Sequence, residues 1–136
     1  MTTHTAQTKY FEGIGRRKEA IARVRLHRGV KKYSFIVNGK DGKAYFKIMR
    51  YEKGAMAPLQ VLGEKDVQVE ARVYGGGVMA QSEAVKLGLG RAILKASPEL
   101  KMQLRNAGCL TRDARAVERK KYGKKKARRS TQWRKR

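Results

Sequence analysis

Residues 67–96 read VQVEARVYGGGVMAQSEAVKLGLGRAILKA, and the spacing of their apolar residues changes period partway along. Val67, Val69, Ala71 and Val73 alternate with Gln68, Glu70 and Arg72, the pattern of a strand with one buried and one wet face. After Gly75-Gly76-Gly77 the spacing becomes helical. Val78, Val85, Leu89, Ala92, Ile93 and Ala96 share one face of a helix from about Val78 to Ala96, with Glu83, Lys86 and Lys95 largely elsewhere. Gly88 and Gly90 each weaken such a helix by up to ~1 kcal/mol relative to alanine. Their presence predicts close approach of the helix backbone to a sheet.

Working outward, Ala20, Ala22, Val24 and Leu26 alternate with Arg23, Arg25 and His27, giving a second strand with a basic face. Tyr33, Phe35 and Val37 alternate likewise and run into the turn signal Asn38-Gly39. Tyr10 to Ile14 reads as a fourth strand. Downstream, Ser97-Pro98-Glu99 supplies an N-cap, a proline at the first helical position and an early carboxylate. The helix it opens carries Leu100, Leu104 and Ala107 and stops at Gly108. Lys40 to Lys65 predicts only short helical turns around Tyr45-Phe46 and Pro58-Leu59. The order strand, strand, strand, short helices, strand, helix, helix, tail predicts an α+β sandwich: a mostly antiparallel four-stranded sheet with helices on one face.

The charge is distributed unevenly. The chain has 136 residues with 34 Lys+Arg against 11 Asp+Glu, a formal charge of +23. Residues 1–111 hold 21 basic and 9 acidic residues, a net of +12, and residues 112–136 hold 13 and 2, a net of +11. Three regions follow: a flexible lead at 1–9, a globular domain at 10–111, and an extended basic tail at 112–136. The tail offers a core little beyond Val117, Tyr122 and Trp133. It cannot offset a backbone ordering cost of ~1–2 kcal/mol per residue, so it should order on a polyanion. So large a positive charge calls for a neutralising partner, and nucleic acid is the expected one. No stretch approaches the ~18 apolar residues of a membrane span, and the most basic segment lacks bulky apolar residues for a surface helix.

Catalytic classes find little support. Cys109, His4 and His27 provide no zinc-ligand spacing, and no cofactor is expected. Cys109 reads as a small buried apolar residue, and His27 as a surface residue rather than a general base. Residues 1–9 have no apolar h-region, so no secretory signal is expected. Gly13-Ile14-Gly15-Arg16-Arg17-Lys18 is not a dinucleotide loop, but three cations at a turn suit a nucleic-acid backbone. Gly75-Gly76-Gly77 is either a tight turn or a phosphate cradle at a helix N-terminus. In the tail, closely spaced cations can follow successive phosphates, Gly123 permits a bend, and Tyr122 and Trp133 offer faces for stacking. Asp113 and Glu118 sit among cations as salt-bridge partners.

From about Tyr10 to Arg136 these motifs, in order, resemble one family. They are Gly13-x-Gly15-Arg16-Arg17-Lys18; Gly75-Gly76-Gly77 with Gln81 and Ala84; Leu87-Gly88 with Arg91-Ala92; Leu110-Thr111-Arg112-Asp113-x-Arg115; Glu118-Arg119-Lys120-Lys121-x-Gly123; Lys126-Ala127-Arg128-Arg129; Gln132; and a closing Lys135-Arg136. The chain resembles small-subunit ribosomal protein number nine in its bacterial or organellar form. The resemblance implies a left-handed split β-α-β domain similar to the second domain of ribosomal protein five of that subunit. It implies a structural constituent of the small subunit, not an enzyme, with no membrane and no small-molecule substrate. The implied partners are the 3′ major domain of small-subunit rRNA in the head, neighbouring head proteins and the anticodon stem-loop of the P-site tRNA. The implied setting is a cytoplasmic bacterial ribosome, or an organellar one after loss of a transit peptide.

Carried over residue by residue, Lys135 and Arg136 match the tRNA-contacting end, and Arg134, where the family commonly has an uncharged residue or Lys, joins them with a fixed charge. Matching rRNA-binding segments are Arg16, Arg17 and Lys18; Gly75, Gly76, Gly77 and Gln81; and Arg112, Arg115, Arg119, Lys120, Lys121, Lys124, Lys125, Lys126, Arg128 and Arg129. Trp133, where the family commonly has Phe, joins them as a stacking residue, and Arg23 and Arg25 join them from the strand pattern. Two rivals remain: an architectural protein on duplex DNA or on structured RNA outside the ribosome, and an RNA-processing enzyme. The first would be separated by preference for folded rRNA, the second by turnover.

Overall fold

The computed structural model describes residues 10–30, 32–64 and 66–135. Five strands, rather than the four expected, form one sheet: β1 (Tyr10–Arg17), β2 (Ala20–Arg28), β3 (Ser34–Val37), β4 (Lys40–Asp41) and β5 (Val67–Tyr74). Their order is β1-β2-β5-β3-β4, antiparallel throughout except that β3 runs parallel to β5. The extra strand, β4, arises at Asn38-Gly39, where φ values of 48° and 77° fold a tight hairpin that pairs Val37 with Lys40. The Asn38 side chain also clamps β5, accepting from Val73 N and donating to Val73 O.

Alternation sets the layers. Ala20, Ala22, Val24 and Leu26 of β2 and Val67, Val69, Ala71 and Val73 of β5 are all buried, joined by Phe35 and Val37 of β3. Helix α3 (Val78–Ala96) covers that face, lying chiefly on β1 and β2, with α2 (Met49–Leu62) beside it. Of the predicted α3 face, Val85, Leu89, Ala92 and Ile93 are buried, while Val78 at the first turn is exposed.

The closest approach is backbone to backbone. Gly13 and Gly15 face inward from β1, and a Cβ on either would overlap the Gly88 or Ala84 carbonyl of α3. From the other side, a Cβ on Gly88 would stand 2.8 Å from Val24 Cγ2 and 3.1 Å from Gly15 N. Gly90 differs from expectation: it faces the Cys109 carbonyl, in the chain after the last helix, not the sheet.

The 40–65 region holds more helix than expected. α1 (Gly42–Phe46) is one short helix, and α2 then runs unbroken through Pro58. Proline's missing N–H masks such a helix in the sequence, although burial of Ala55 and Pro58 holds it against the core. Ser97 caps nothing with its side chain; its Oγ accepts from Arg28 Nη1 at 3.0 Å. A 3-10 turn at Pro98–Leu100 leads into α4 (Lys101–Asn106), which buries Leu104. Gly108, at φ 65°, then turns the chain so that Cys109 is buried, as expected, and burial raises its thiol pKa.

Candidate nucleic-acid interface

The first basic cluster divides between two faces of β1. The strand continues through Arg16 and Arg17, past the expected end at Ile14, and the turn lies at Lys18-Glu19 rather than across all three cations. Strand periodicity therefore sends Arg17 inward with Gly13 and Gly15, leaving Arg16 and Lys18 outward. Arg17 is only 8 % exposed. Its Nε donates to Glu83 Oε2 at 2.5 Å, and its Nη1 donates to the carbonyls of Asp113 (3.2 Å) and Arg115 (2.6 Å). Its Nη2 lies 3.2 Å from Asp113 Oδ2. A guanidinium so enclosed is a bracket within the fold. Arg16, Lys86 and Arg112 line a polar cleft of about 210 Å³ beside it.

Arg23 and Arg25 do share the open face of the sheet, as expected. Glu12 lies opposite Arg25 on β1 and pairs with both, at 2.8 Å to Arg23 Nε and 3.2 Å to Arg25 Nε. The Arg23 hydrogen bond holds the Glu12 carboxyl below its ordinary range, and that contact in turn raises the Arg23 pKa. Arg25 also lies over the Tyr10 ring at 4.9 Å, and Arg72 approaches Glu70 on β5. Half the positive charge of this face is thus balanced within it.

The glycine triplet splits the same way. Gly75 and Gly76 have φ of 69° and 63°, and Cβ atoms there would press on Glu19 O (2.5 Å) and Ala20 N (3.1 Å). They serve the tight turn against the β1–β2 hairpin. Gly77 has open space around it and leads into α3 without a side-chain cap. Gln81 braces this turn, donating to Gly75 O at 3.0 Å while accepting from the Tyr45 hydroxyl at 2.8 Å.

At the start of the tail, Asp113 gathers the bonds that hold the chain. It accepts from Arg115 N at 3.0 Å and pairs with the Arg115 guanidinium at 2.8 Å, so its carboxyl titrates far below the ordinary range. Glu118 pairs with Arg128 (3.0 Å) and Lys121 (3.6 Å) rather than with its neighbour Arg119. Gly123 supplies the expected bend at φ 71°, and a small loop follows: Lys124 bridges Ser130, and Lys125 N donates to Arg129 O at 2.7 Å. Arg112, Arg119, Lys120, Lys124, Lys125, Lys126, Arg129, Arg134 and Lys135 pair with no carboxylate among the described residues. Tyr122 and Trp133 are 99 % and 79 % exposed, free to stack. Arg136 lies outside the described residues. The described residues hold no cluster of His, Cys, Asp and Glu able to bind a metal, and no helix long and apolar enough to cross a membrane.

The sequence that builds this core, sheet and tail matches known proteins over nearly its whole length. The profile described as "Ribosomal protein S9/S16" fits residues 15–136. The chain belongs to the ribosomal protein S9/S16 family. Among its relatives is the "Small ribosomal subunit protein uS9" of Gloeothece citriformis, 46% identical over 136 residues and covering 98% of each chain. The Synechocystis protein of that name is 50% identical over 128 residues, covering 93% of this chain and 92% of its own. The "uS9c" protein of Gracilaria tenuistipitata var. liui is 42% identical over 139 residues and all of both chains. S9/S16 members are structural ribosomal proteins, so the chain is not an enzyme.

Several contributors escaped the sequence reading. Arg91 donates to Ile14 O and Lys95 to Glu12 O, each at 2.7 Å, so two cations of α3 satisfy carbonyls along the edge strand β1. Arg28 joins Glu64 and Ser97 where the end of β2 meets the end of α3. The parity of β1 carried the signal for Arg17. Extended past Ile14, it places Arg17 on the same face as Gly13 and Gly15.

Proposed function

We propose that the chain is a structural constituent of the small ribosomal subunit that holds rRNA of the head through the 3′ major domain. Its described tail, from Ala116 onward, reaches away from the domain toward the P-site tRNA. The observation that carries this reading is the exposed, cation-rich tail. Nine of the twelve described tail cations pair with no carboxylate, and they stand on exposed chain with two exposed rings among them. Free cations exchange their counterions for phosphates, and exposed rings stack unpaired bases.

Residues 10–111 are the globular unit, and 112–136 order fully only on RNA. Within the domain, Arg16 and Lys18 at the β1–β2 turn, Gly77 at the start of α3, and the Arg23-Arg25 face approach rRNA backbone. Along the tail the contacts run from Arg112 through Arg129, with Trp133 stacking. Arg134, Lys135 and Arg136 touch the anticodon stem-loop, where a few charge-assisted hydrogen bonds suit a ligand that must leave each cycle. The crossover from β3 to β5 through α1 and α2 takes the left-handed path of the split β-α-β domain, and neighbouring head proteins cover part of the surface.

Competition binding tests the reading. The full chain should prefer a transcript of the 3′ major domain over an equally long unrelated folded RNA and over duplex DNA. Equal affinity for all three would overturn it.

A further inference from the structure

The tail begins to run free only after Arg115, and what holds it until then is a residue 96 positions away from Asp113 in sequence. Arg17 uses every face of its guanidinium: Nε on Glu83, Nη2 on the Asp113 carboxylate, and Nη1 on the Asp113 and Arg115 carbonyls. Two of these four acceptors are main-chain carbonyls of the tail, so the contact fixes backbone direction as well as charge. Asp113 then folds back onto Arg115 N and its guanidinium, closing a second ring of bonds around the same exit point. Glu83 lies in the second turn of α3, which rests on β1.

From this geometry we propose that Arg17 is a positioning residue. It aims the tail before RNA arrives and makes no phosphate contact of its own. A chain released from a fixed point in a fixed direction samples far less space than one hinged freely at the domain edge. Its downstream cations are then presented to the RNA at a higher effective concentration once the domain has docked. Only arginine suits the post. Lysine has the charge but not the planar fork needed to serve a carboxylate on one edge and two carbonyls on another. The inference rests on the RNA-binding reading for its consequence, but the clamp is a property of the free protein and can be measured there.

The test uses the full chain with Arg17→Lys, Arg17→Gln and Asp113→Asn, the last lying outside the core and so unable to unfold the domain. Backbone ¹⁵N relaxation on free protein should show residues 113–115 as rigid as β1 in the wild type. In all three variants those residues should be mobile. A mobile wild-type exit, or an Arg17→Lys exit as rigid as wild type, overturns the proposal. Binding to the 3′ major domain transcript is then followed across salt concentration. Arg17→Lys and Arg17→Gln should both bind about tenfold more weakly, in the range of coupled-residue effects. Their slope of log K against log salt should match the wild type. A slope smaller by one contact in Arg17→Gln (~0.7–0.9), with full affinity in Arg17→Lys, would show a phosphate ligand instead.

Discussion

Arg17 and Arg129 carry the same side chain and meet opposite fates. The first is enclosed by Glu83, Asp113 and two carbonyls; the second stands on the tail with no carboxylate partner among the described residues. The two regions they belong to differ in how their chain is packed. In the domain, carboxylates and carbonyls answer most arginines, and the packing is close enough that glycine Cα atoms touch a helix backbone. In the tail, two carboxylates serve thirteen cations and almost nothing is buried. Density of positive charge in a sequence therefore does not locate an interface. On the proposed reading, positive charge carried on chain that buries almost nothing does.

The widest gap between the regions should appear on adding a methyl group. Gly15→Ala sets a Cβ against the Ala84 carbonyl, with backbone on both sides unable to yield. Domain stability should fall by an amount at the top of the ~1–3 kcal/mol range for overpacked cores, read by urea unfolding. Gly123→Ala, with open space around it, should leave the domain's unfolding curve where it was. Equal losses would erase the distinction between packed domain and unpacked tail.

Aromatic truncation works the other way. Trp133→Ala and Tyr122→Ala should leave thermal stability unchanged, since both rings are exposed, yet each should weaken binding to the rRNA transcript by ~1–3 kcal/mol. Unchanged RNA affinity would show that the rings do not stack on bases. Removal of residues 134–136 should leave assembly of small subunits intact while weakening P-site tRNA binding by ~1.5–3 kcal/mol, as for hydrogen bonds to charged groups. Failed assembly would place the tip with the rRNA anchor.

The smallest effect is a titration. Asp113 is held below the ordinary carboxylate range chiefly by its hydrogen bonds from Arg115. A depressed carboxylate contributes above its unfolded pKa and loses that contribution as pH falls through the lower folded value. The exit clamp should therefore persist when acid has reached the ordinary Asp range of ~3.9. A ¹³C titration of the Asp113 carboxyl would check this, and an ordinary midpoint would mean that Arg115 does not hold it.

The sheet was legible wherever one face is apolar. β2 and β5 alternate cleanly because their even or odd positions alone meet α3, and α3 itself was bounded at Val78 and Ala96. β1 was read only as far as Ile14, because periodicity counts side chains and Gly13 and Gly15 make a contact between main chains distant in sequence. α2 was hidden by Gly54 and Pro58, both poor helix formers held in place by tertiary packing. At the candidate site, the tail's charge and rings were plain, since nothing folds over them. Which arginines are answered by carboxylates was not, because Glu83 and Asp113 reach Arg17 only after the chain has folded.

The salt dependence of binding decides most directly whether unanswered charge makes the interface. The full chain and a chain ending at Ala116, which keeps the core and the Arg17 clamp, should be titrated with the 3′ major domain transcript from low to high salt. Loss of the free tail cations should reduce the slope of log K against log salt by several units, at ~0.7–0.9 per phosphate contact. A slope unchanged by the truncation would contradict the account, because the domain alone would then be carrying the RNA.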